Sequence, residues 1–471
     1  MGNHDRTFAI RAGTVLTFSG AEPTHGAEQI DDGALIVRAG EIVWVGSAAD
    51  LPPQLARLAG RTIDDVEIPV VDYGEATLLP GLIDTHVHLT LFADRRFYEA
   101  MAAEPDELMA LVAVRNLQQH LRAGITTVRD NGSRNRVIFS VQEALRRGYF
   151  PGPRLLAAGR PITQTGGHFH WCHGEVDGPE AVRREVRRLV SEGADHIKLM
   201  ASGGGTVGSE RDYPALTVAE LREAVSAAHE LGRLTTAHCH AISAIENAIE
   251  AGVDCIEHAE FNLGTPRRRP PAFATSGSRW DHQDMVYDPR ITERILRKGT
   301  KISFTPQAGG YEYLLDLREQ AAADALPAHL AAELSGLERK FAGRVEILSR
   351  LLADGIGEHI SLSSDAGCFD GSFGRLYLGL GLGREAGMSV LDTLRAVTVN
   401  AARVCGIEAY VGTLRPGLRA DLAVLPGRLA ESLGPLERPI AVYQDGDLVV
   451  GVEPVGRPVG PNGAGDGRLD S

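Results

Sequence analysis

Residues 235–261, TTAHCHAISAIENAIEAGVDCIEHAEF, contain a strand, a helix and a second strand in one short stretch of sequence. The two ends are apolar segments of strand length, and the middle spaces Ala and Ile as an amphipathic helix does. A helix between two such segments is typical of a crossover connection that joins parallel strands. This stretch therefore predicts an α/β fold, and the same pattern recurs elsewhere in the chain.

Eight apolar segments of this kind lie between residues 80 and 405, and helical stretches separate most of them. They are GLIDTHVHL (81–89), GITTVRDNG (124–132), RLLAAG (154–159), HIKLMASGG (196–204), LTTAHCH (234–240), CIEHAEF (255–261), KISFTPQ (301–307) and HISLSSDAG (359–367). Strands alternating with helices over this length predict a parallel (β/α)8 TIM barrel for residues 80–405. An open doubly wound sheet is the alternative, but a Rossmann arrangement is disfavoured because no GxGxxG motif follows the first strand.

Both ends of the chain are built differently, from short β-branched segments separated by Gly and Asp turns. FAIRAGTVLTF (8–18) near the start and GTLRPGLRADLAVLP (412–426) near the end share this composition. We therefore predict a second, small composite β-sandwich domain built from both chain termini, residues 1–79 and 406–456. Residues 457–471 lack an apolar pattern, which predicts a disordered tail.

One segment interrupts the alternation of strands and helices in the middle of the chain. Residues 264–284, GTPRRRPPAFATSGSRWDHQD, place prolines and an arginine triplet between two predicted strands. Loops of this length are usually functional or disordered, so the segment is interpreted either as an active-site lid or as a disordered insertion.

The composition restricts the partners of the protein. With 48 basic and 62 acidic side chains the formal net charge is −14, which argues against nucleic acid and anionic membranes as partners. No secretory signal, membrane-spanning apolar run or CxxC pair is found in the sequence, so a cytoplasmic location is expected.

Of the four lysines, Lys298, Lys301 and Lys340 lie in polar contexts that predict exposure to solvent. Lys198 lies instead in an apolar strand.

Side chains that can bind metal fall at the carboxyl ends of the predicted strands, where a barrel carries its active site. His86 and His88 are two residues apart on one strand, so their side chains point to the same side. The others are Lys198, His238, His240, His258 and Asp365. Each of them alone is more simply a core or surface residue, and Lys198 alone is more simply one half of an ion pair than a lysine carboxylated by CO2. Taken together, the nitrogen and oxygen donors suit a two-zinc site.

The sequence resembles the amidohydrolase superfamily, and within it the imidazolonepropionase-like and prolidase-like branch of metal-dependent hydrolases. The resemblance spans nearly the whole chain. It rests on LLPGLIDTHVHL (78–89), TGGHFHWCHGEVDGP (165–179), GADHIKLMASGG (193–204), TTAHCHAISAIENAIEAGVDCIEHAEF (235–261), SSDAG (363–367) and TVNAARVCGIEAYVGTLRPGLRADLAVL (398–425). Two features depart from the family, because HFHWCH adds His170 and His173 and because the 264–284 segment is longer than expected.

The resemblance implies two divalent metal ions, with Zn²⁺ expected, and a CO2-derived carbamate on Lys198. The implied metal ligands are His86, His88, Lys198, His238, His258 and Asp365. The first two histidines would bind one ion together with Asp365, the last two would bind the other ion, and the carbamate and a hydroxide would bridge the ions. Asp365 would also act as the catalytic acid and base. His168 and His240 would hold a substrate carboxylate or support the metal ligands from behind.

The expected function is a binuclear metal-dependent hydrolase that cleaves the amide C–N bond of a small carboxylate-bearing substrate, such as a dipeptide or an N-acyl amino acid. A cyclic amide or lactone hydrolase, or an ester or phosphotriester hydrolase, is the alternative on the same site. Lys198 argues against a deaminase, because the deaminase branches typically use one metal ion and lack the bridging lysine. A non-enzymatic scaffold would have lost some of the metal-binding residues, whereas all six implied ligands are present in this sequence. The expected partner is a small-molecule substrate, and a homo-oligomer is compatible with the sequence.

Overall fold

The computed structural model describes residues 6–20, 28–59, 68–96, 98–264, 285–429 and 432–452. The segment predicted as a lid or insertion at 264–284, apart from Gly264, and the tail predicted at 457–471 lie outside these ranges. The chain divides into two units. The smaller comprises Met1–Gly81, Ala409–Ala430 and Arg438–Ser471, and the larger comprises Leu82–Glu408 and Glu431–Glu437.

Sixteen strands and thirteen α-helices make up the regular structure of the described residues. The strands are β1 (Thr7–Leu16), β2 (Gln29–Arg38), β3 (Glu41–Ser47), β4 (Val70–Asp72), β5 (Thr77–Pro80), β6 (Leu82–Val87), β7 (Ile125–Asp130), β8 (Arg154–Ala157), β9 (His196–Met200), β10 (Leu234–Ala241), β11 (Cys255–Asn262), β12 (Lys301–Phe304), β13 (Ile360–Leu362), β14 (Leu422–Leu425), β15 (Ala441–Gln444) and β16 (Asp447–Gly451). The helices are α1 (Leu51–Ala59), α2 (Tyr98–Ala102), α3 (Asp106–Arg122), α4 (Val137–Arg146), α5 (Pro179–Glu192), α6 (Val218–Glu230), α7 (Ile242–Ala251), α8 (Pro289–Lys298), α9 (Tyr311–Ala322), α10 (Ala331–Ala353), α11 (Tyr377–Glu385), α12 (Val390–Ala396) and α13 (Val399–Cys405).

The larger unit contains the eight predicted parallel strands, but they form two sheets rather than one closed barrel. β6, β7 and β8 form one sheet, and β9 to β13 form the other in sequential order. Single bridges, Val87 to Ala366 and Ile162 to Leu199, link the margins of the two sheets. The pairing of β6 with β7 is irregular at two places, and Ile162 lies outside a regular strand. The closed (β/α)8 barrel is therefore reproduced only in part.

The strand–helix–strand unit at 235–261 folds as predicted, into β10, α7 and β11. Helix α7 buries Ile245, Ala248 and Ile249, at the spacing that places side chains on one helical face. It ends at Gly252, which has a φ of +85° that glycine adopts without steric cost. Strands β10 and β11 pair in parallel and are buried along almost their whole length, as is typical of a covered parallel sheet.

Local sequence signals also explain where other helices of the larger unit begin and end. Helix α6 starts at a capping box, in which the Thr217 side chain accepts from the Glu220 backbone and the Glu220 carboxylate accepts in return. Helix α5 starts with a proline at its first turn and ends at Gly193. None of the described helices is both long enough and apolar enough to cross a membrane.

The smaller unit is an eight-stranded sheet that takes strands from both ends of the chain. Its order is β16–β15–β14–β5–β1–β2–β3, with β4 paired to β1. β14 lies antiparallel to β5, with Val424 opposite Leu78. Phe8 and Tyr443 stack with ring centroids 5.9 Å apart in its core. The described strands form one continuous sheet, and the sandwich arrangement and the boundaries 1–79 and 406–456 stay predictions.

Candidate metal centre

The residues predicted to bind metal all lie in the larger unit, at or just beyond the carboxyl ends of five parallel strands. His86 lies on β6 and His88 directly after it, Lys198 lies on β9, His238 on β10, His258 on β11 and Asp365 beyond β13. Every one of these side chains is buried. Because parallel strands end at the same edge of their sheets, residues distant in sequence meet at one place.

Three ligand atoms converge at the end of β6. His86 Nε2 lies 3.3 Å from His88 Nε2, and these atoms lie 3.4 Å and 3.5 Å from Asp365 Oδ1. A tetrahedral Zn²⁺ ion with bonds of about 2.0–2.1 Å places neighbouring ligand atoms about 3.3–3.4 Å apart. The three atoms are therefore spaced as the ligands of one ion are.

The hydrogen bonds behind His86 and His88 turn their lone pairs toward each other. His86 Nδ1 lies 2.6 Å from Glu257 Oε2, and His88 Nδ1 lies 3.3 Å from the Gly132 carbonyl oxygen. Both partners accept, so each Nδ1 carries the proton and each Nε2 carries a lone pair. Burial lowers the pKa of His88 well below its usual value, which keeps this imidazole neutral. Lone pairs that face one another beside a carboxylate repel unless a cation lies between them.

A second pair of histidines, His238 and His258, lies just as close together. His238 Nε2 donates to the Gly203 carbonyl oxygen at 3.1 Å, so its Nδ1 carries a lone pair. This atom lies 2.9 Å from His258 Nε2, and His258 Nδ1 lies 2.7 Å from Thr305 Oγ1. The His258 and His86 rings are 4.8 Å apart, centroid to centroid, so the two clusters are adjacent.

Two buried polar atoms at this site have no hydrogen-bond partner among the described residues, Lys198 Nζ and Asp365 Oδ1. Burial, opposed by Glu257 and Asp365, lowers the pKa of Lys198. Burial likewise raises the pKa of Asp365. Buried polar atoms without partners are costly. The orphaned atoms and the facing lone pairs together fit bound cations, which the donor set of nitrogen and oxygen atoms also favours.

A buried ion pair, not predicted from the sequence, holds His86 in place. Arg129 donates to Glu257 Oε1 at 2.6 Å, and the other carboxylate oxygen accepts from His86. Burial alone would raise the pKa of Glu257, but Arg129 and His86 outweigh it and hold that pKa well below its usual value. A carboxylate behind a histidine fixes the ring orientation and makes the other nitrogen a better metal ligand.

A second buried carboxylate, Glu260, plays the same part for His240. Glu260 Oε2 lies 2.8 Å from His240 Nδ1 and 2.6 Å from an Arg211 nitrogen. Arg344 donates to the other oxygen, with its Nε at 3.0 Å. Burial lowers the pKa of His240 to about 3, so the imidazole is neutral. Two glutamates in one apolar strand, three residues apart in CIEHAEF, were the only sequence signal for this network.

His168 presents a hydrogen-bond donor to the site. Thr206 Oγ1 accepts from the Phe169 backbone N–H at 3.2 Å and lies 2.7 Å from His168 Nδ1. The Thr206 backbone N–H donates to the same ring nitrogen at 3.4 Å, so His168 Nδ1 is an acceptor. His168 Nε2 therefore carries the ring proton.

Replacing Gly204 by Ala should displace His168. An added Cβ would overlap with Cδ2 and Nε2 of the His168 ring, which must swing away from Thr206. We expect kcat/KM to fall by about 10²-fold, the usual cost of losing one donor to a reacting oxygen, with metal content unchanged. Gly381→Ala is the matched control, because nothing lies within 4 Å of its added Cβ. If kcat/KM is the same in the two variants, His168 takes no part in the reaction.

The histidine clusters open into a cavity of about 770 Å³, including the solvent at its mouth. Arg211, Lys340 and Arg344, here called the cationic wall, are among the residues that line it. The predicted exposure of Lys340 is therefore wrong: its side chain is 5% exposed and donates to the Gly309 carbonyl oxygen at 2.5 Å. Lys340 and Arg344 lie four residues apart on α10 and so share the face of that helix that packs inward.

The two additional histidines of the HFHWCH motif are not among the residues that line this cavity. His173 is exposed, and its Nδ1 lies 2.7 Å from Asn135 Oδ1. His170 is partly exposed in a short 3-10 turn. Both histidines therefore lie in a loop outside the lining of the cavity.

Comparison with known proteins places the chain in a class of enzymes. The sequence matches the amidohydrolase family over residues 77–450, most of its length. The chain belongs to the amidohydrolase family and is a hydrolytic enzyme. Members of this family are typically metal-dependent, which agrees with the convergence of histidine and aspartate atoms described above.

Individual relatives cover nearly the whole chain. Ochratoxinase from Aspergillus niger is 27% identical over 464 residues, which span 92% of this chain and 85% of that protein. The crystal structure of the same A. niger ochratoxinase has a TM-score of 0.73 and 22% identity, covering 95% of this chain and 96% of that chain. A Xaa-Pro dipeptidase crystallised with methionine in its active site has a TM-score of 0.73 and 24% identity, covering 94% and 100%. These likenesses imply a TIM barrel with an additional domain.

Proposed function

We propose that this protein is a binuclear metal-dependent hydrolase that cleaves the amide C–N bond of a small carboxylate-bearing substrate, such as a dipeptide or an N-acyl amino acid. The observation that carries the proposal is the pair of adjacent, buried histidine clusters, with facing lone pairs on His86 and His88, beside the partnerless atoms of Lys198 and Asp365. The similarity to ochratoxinase and to a Xaa-Pro dipeptidase supports an amide substrate.

In this proposal, the chain holds two divalent ions, with Zn²⁺ favoured by the nitrogen-rich donor set. His86, His88 and Asp365 hold one ion, and His238 and His258 hold the other. Carboxylated Lys198 would supply the anionic ligand that the two ions share. When bound, the ions lower the pKa of a water molecule and polarise the amide carbonyl.

Lys198 is suited to carboxylation because its buried amine is not locked into an ion pair among the described residues. Its lowered pKa increases the fraction of neutral amine, which is the nucleophilic form. The amine nitrogen forms a bond to the carbon of CO2 and loses one proton, which leaves a carbamate anion. The side chain thereby changes from a buried cation or amine into an anion that can bridge two cations.

Asp365 is the group that moves the proton. Its Oδ1 lies within 3.5 Å of both His86 and His88. It takes the proton of the attacking water as the C–O bond forms at the carbonyl carbon. It then delivers this proton to the leaving nitrogen as the C–N bond breaks, so the products are a carboxylic acid and an amine, and the acid afterwards loses its proton to solvent.

The substrate is held by His168 and the cationic wall. The His168 Nε2–H donates to the carbonyl oxygen, where negative charge develops during the reaction. Arg211 and Arg344 share the single negative charge of Glu260, so the cationic wall keeps an excess of positive charge, which favours a substrate that carries a carboxylate. The sequence-based prediction placed the carboxylate on His168 and His240 instead.

Further parts of the sequence-based prediction are carried forward as proposals. The strands from both termini form a composite β-sandwich domain. The partner is a small molecule rather than nucleic acid or a membrane, and the protein is cytoplasmic. Assembly into a homo-oligomer is compatible with these proposals.

Metal depletion and restoration tests the proposed function. The chelated protein should be inactive, and turnover of N-acyl amino acids and dipeptides should return as two equivalents of Zn²⁺ are added. Matched amides without a carboxylate should show a raised KM, because the cationic wall then has no partner. Lactones, esters and phosphotriesters complete the panel. The proposal would be contradicted if the metal-replete protein hydrolysed only lactones, esters or phosphotriesters. It would also be contradicted if the chelated protein kept its activity.

A further inference from the structure

His240 lies at the end of β10 among the histidines proposed to hold the second metal ion. Its ring centroid is 4.3 Å from that of His238 and 4.7 Å from that of His258. The side chain is buried and lines the cavity. One ligand nitrogen from each of the three residues can be chosen so that all lie within 4.8 Å of one another.

The hydrogen bond behind His240 determines which nitrogen is free to bind. Its Nδ1 lies 2.8 Å from Glu260 Oε2, which also accepts from Arg211. A carboxylate held by arginines is ionised and can only accept, so Nδ1 must carry the proton. The Nε2 atom therefore offers a lone pair, not a donor. A lone pair repels a substrate carboxylate but binds a cation.

His240 and His86 are built in the same way. Each donates its Nδ1 proton to a buried glutamate, and each glutamate is paired with arginine, Arg129 in one case and Arg211 with Arg344 in the other. A histidine braced from behind by a carboxylate is the usual construction of a metal ligand. The chain uses this construction twice, and one of the two histidines lies among the predicted ligands.

We propose that His240 is a third histidine ligand of the second metal ion and that Glu260 is the residue that positions it. This inference rests on the proposed two-metal function. The second ion would then be held by His238, His240, His258 and the carboxylated Lys198. Substrate carboxylate recognition would fall to the cationic wall alone.

His240→Ala tests the proposal through metal binding rather than activity. The wild-type protein should bind two Zn²⁺ ions per chain by elemental analysis. The variant should bind its second ion at least about 100-fold more weakly in a chelator competition, since outer partners alone are worth about 10–100-fold. Loaded with Co²⁺, it should also show a changed visible absorption spectrum. Glu260→Gln should weaken the same ion by about tenfold.

His168→Ala is the matched control, because it removes another cavity histidine whose Nε2 carries a proton and cannot bind metal. It should leave both Zn²⁺ affinities and the Co²⁺ spectrum unchanged. If the wild-type protein binds two ions and the His240→Ala variant has the same Zn²⁺ affinities and Co²⁺ spectrum, the role of His240 is overturned and the two-metal function is not. Wild-type protein that binds fewer than two ions would overturn both the inference and the two-metal function. Circular dichroism checks that each variant is folded.

Discussion

Asp365→Asn should lower kcat by about 10²–10⁴-fold, the range that a positioned acid–base group contributes. The amide of Asn has nearly the same shape as the carboxylate, and its oxygen can still bind metal. It cannot accept the proton of the attacking water, however, and has none to give to the leaving nitrogen. The loss should therefore fall on kcat, with the fold and the metal content retained.

The measurement is steady-state kinetics on an N-acyl amino acid, with elemental analysis of the same preparation. Asp316→Asn is the matched control, since Asp316 has a side chain that is 48% exposed and pairs with Arg95. It should leave kcat unchanged. An Asp365→Asn variant that keeps its metal and its full kcat would assign the proton transfer to another residue.

Lys198→Ala should remove the proposed carbamate that bridges the two metal ions and should abolish turnover. The substitution takes away the buried amine and with it the carbamate anion that offsets the charge of two cations. The facing histidine lone pairs would remain, but the affinity for at least one ion should fall by about 100-fold or more. Metal content and turnover should therefore fall together, as measured by elemental analysis and the amide assay.

Two further observations separate a bridging role of Lys198 from a structural one. A short carboxylic acid that enters the space left by the side chain can supply the missing anion, so added propionate should restore part of the metal binding and turnover. Lys298→Ala, at an exposed position of α8, is the matched control and should change neither. Normal metal occupancy and rate in Lys198→Ala would exclude the carbamate.

The sequence predicted those features that depend on local patterns. The apolar and helical periodicity of residues 235–261 was sufficient to predict β10, α7 and β11. The geometry that sequence could not supply is the convergence of the strand ends. His86 and His88 approach Asp365 only because β6 and β13 end at the same edge, although they are far apart along the chain.

The cationic wall and its glutamate could not be predicted in this way. Arg344 and Glu260 are 84 residues apart in sequence, and nothing in either local pattern relates them. Lys340 was misjudged because the charged residues around it resemble a solvated helix face, whereas α10 turns Lys340 and Arg344 inward. Charged residues four apart on a helix share one face, and only packing decides whether that face meets solvent.

The closed barrel was predicted from the count of strands, which says nothing of register. The irregular pairing of β6 and the short β8 leave two sheets joined by single bridges. The pairing of strands from the two termini depends on contacts between residues more than 300 positions apart, such as Val424 and Leu78. Loop closure over such lengths has no local sequence signal.

Two metal ions held by these residues, with Lys198 between them, would be directly visible in a crystal structure of the Zn²⁺-loaded protein. With anomalous scattering measured at the zinc edge, we expect two zinc peaks about 3.5–4 Å apart. Electron density should continue beyond Lys198 Nζ and join them. A single zinc peak, or density that ends at the Lys198 nitrogen, would contradict this arrangement.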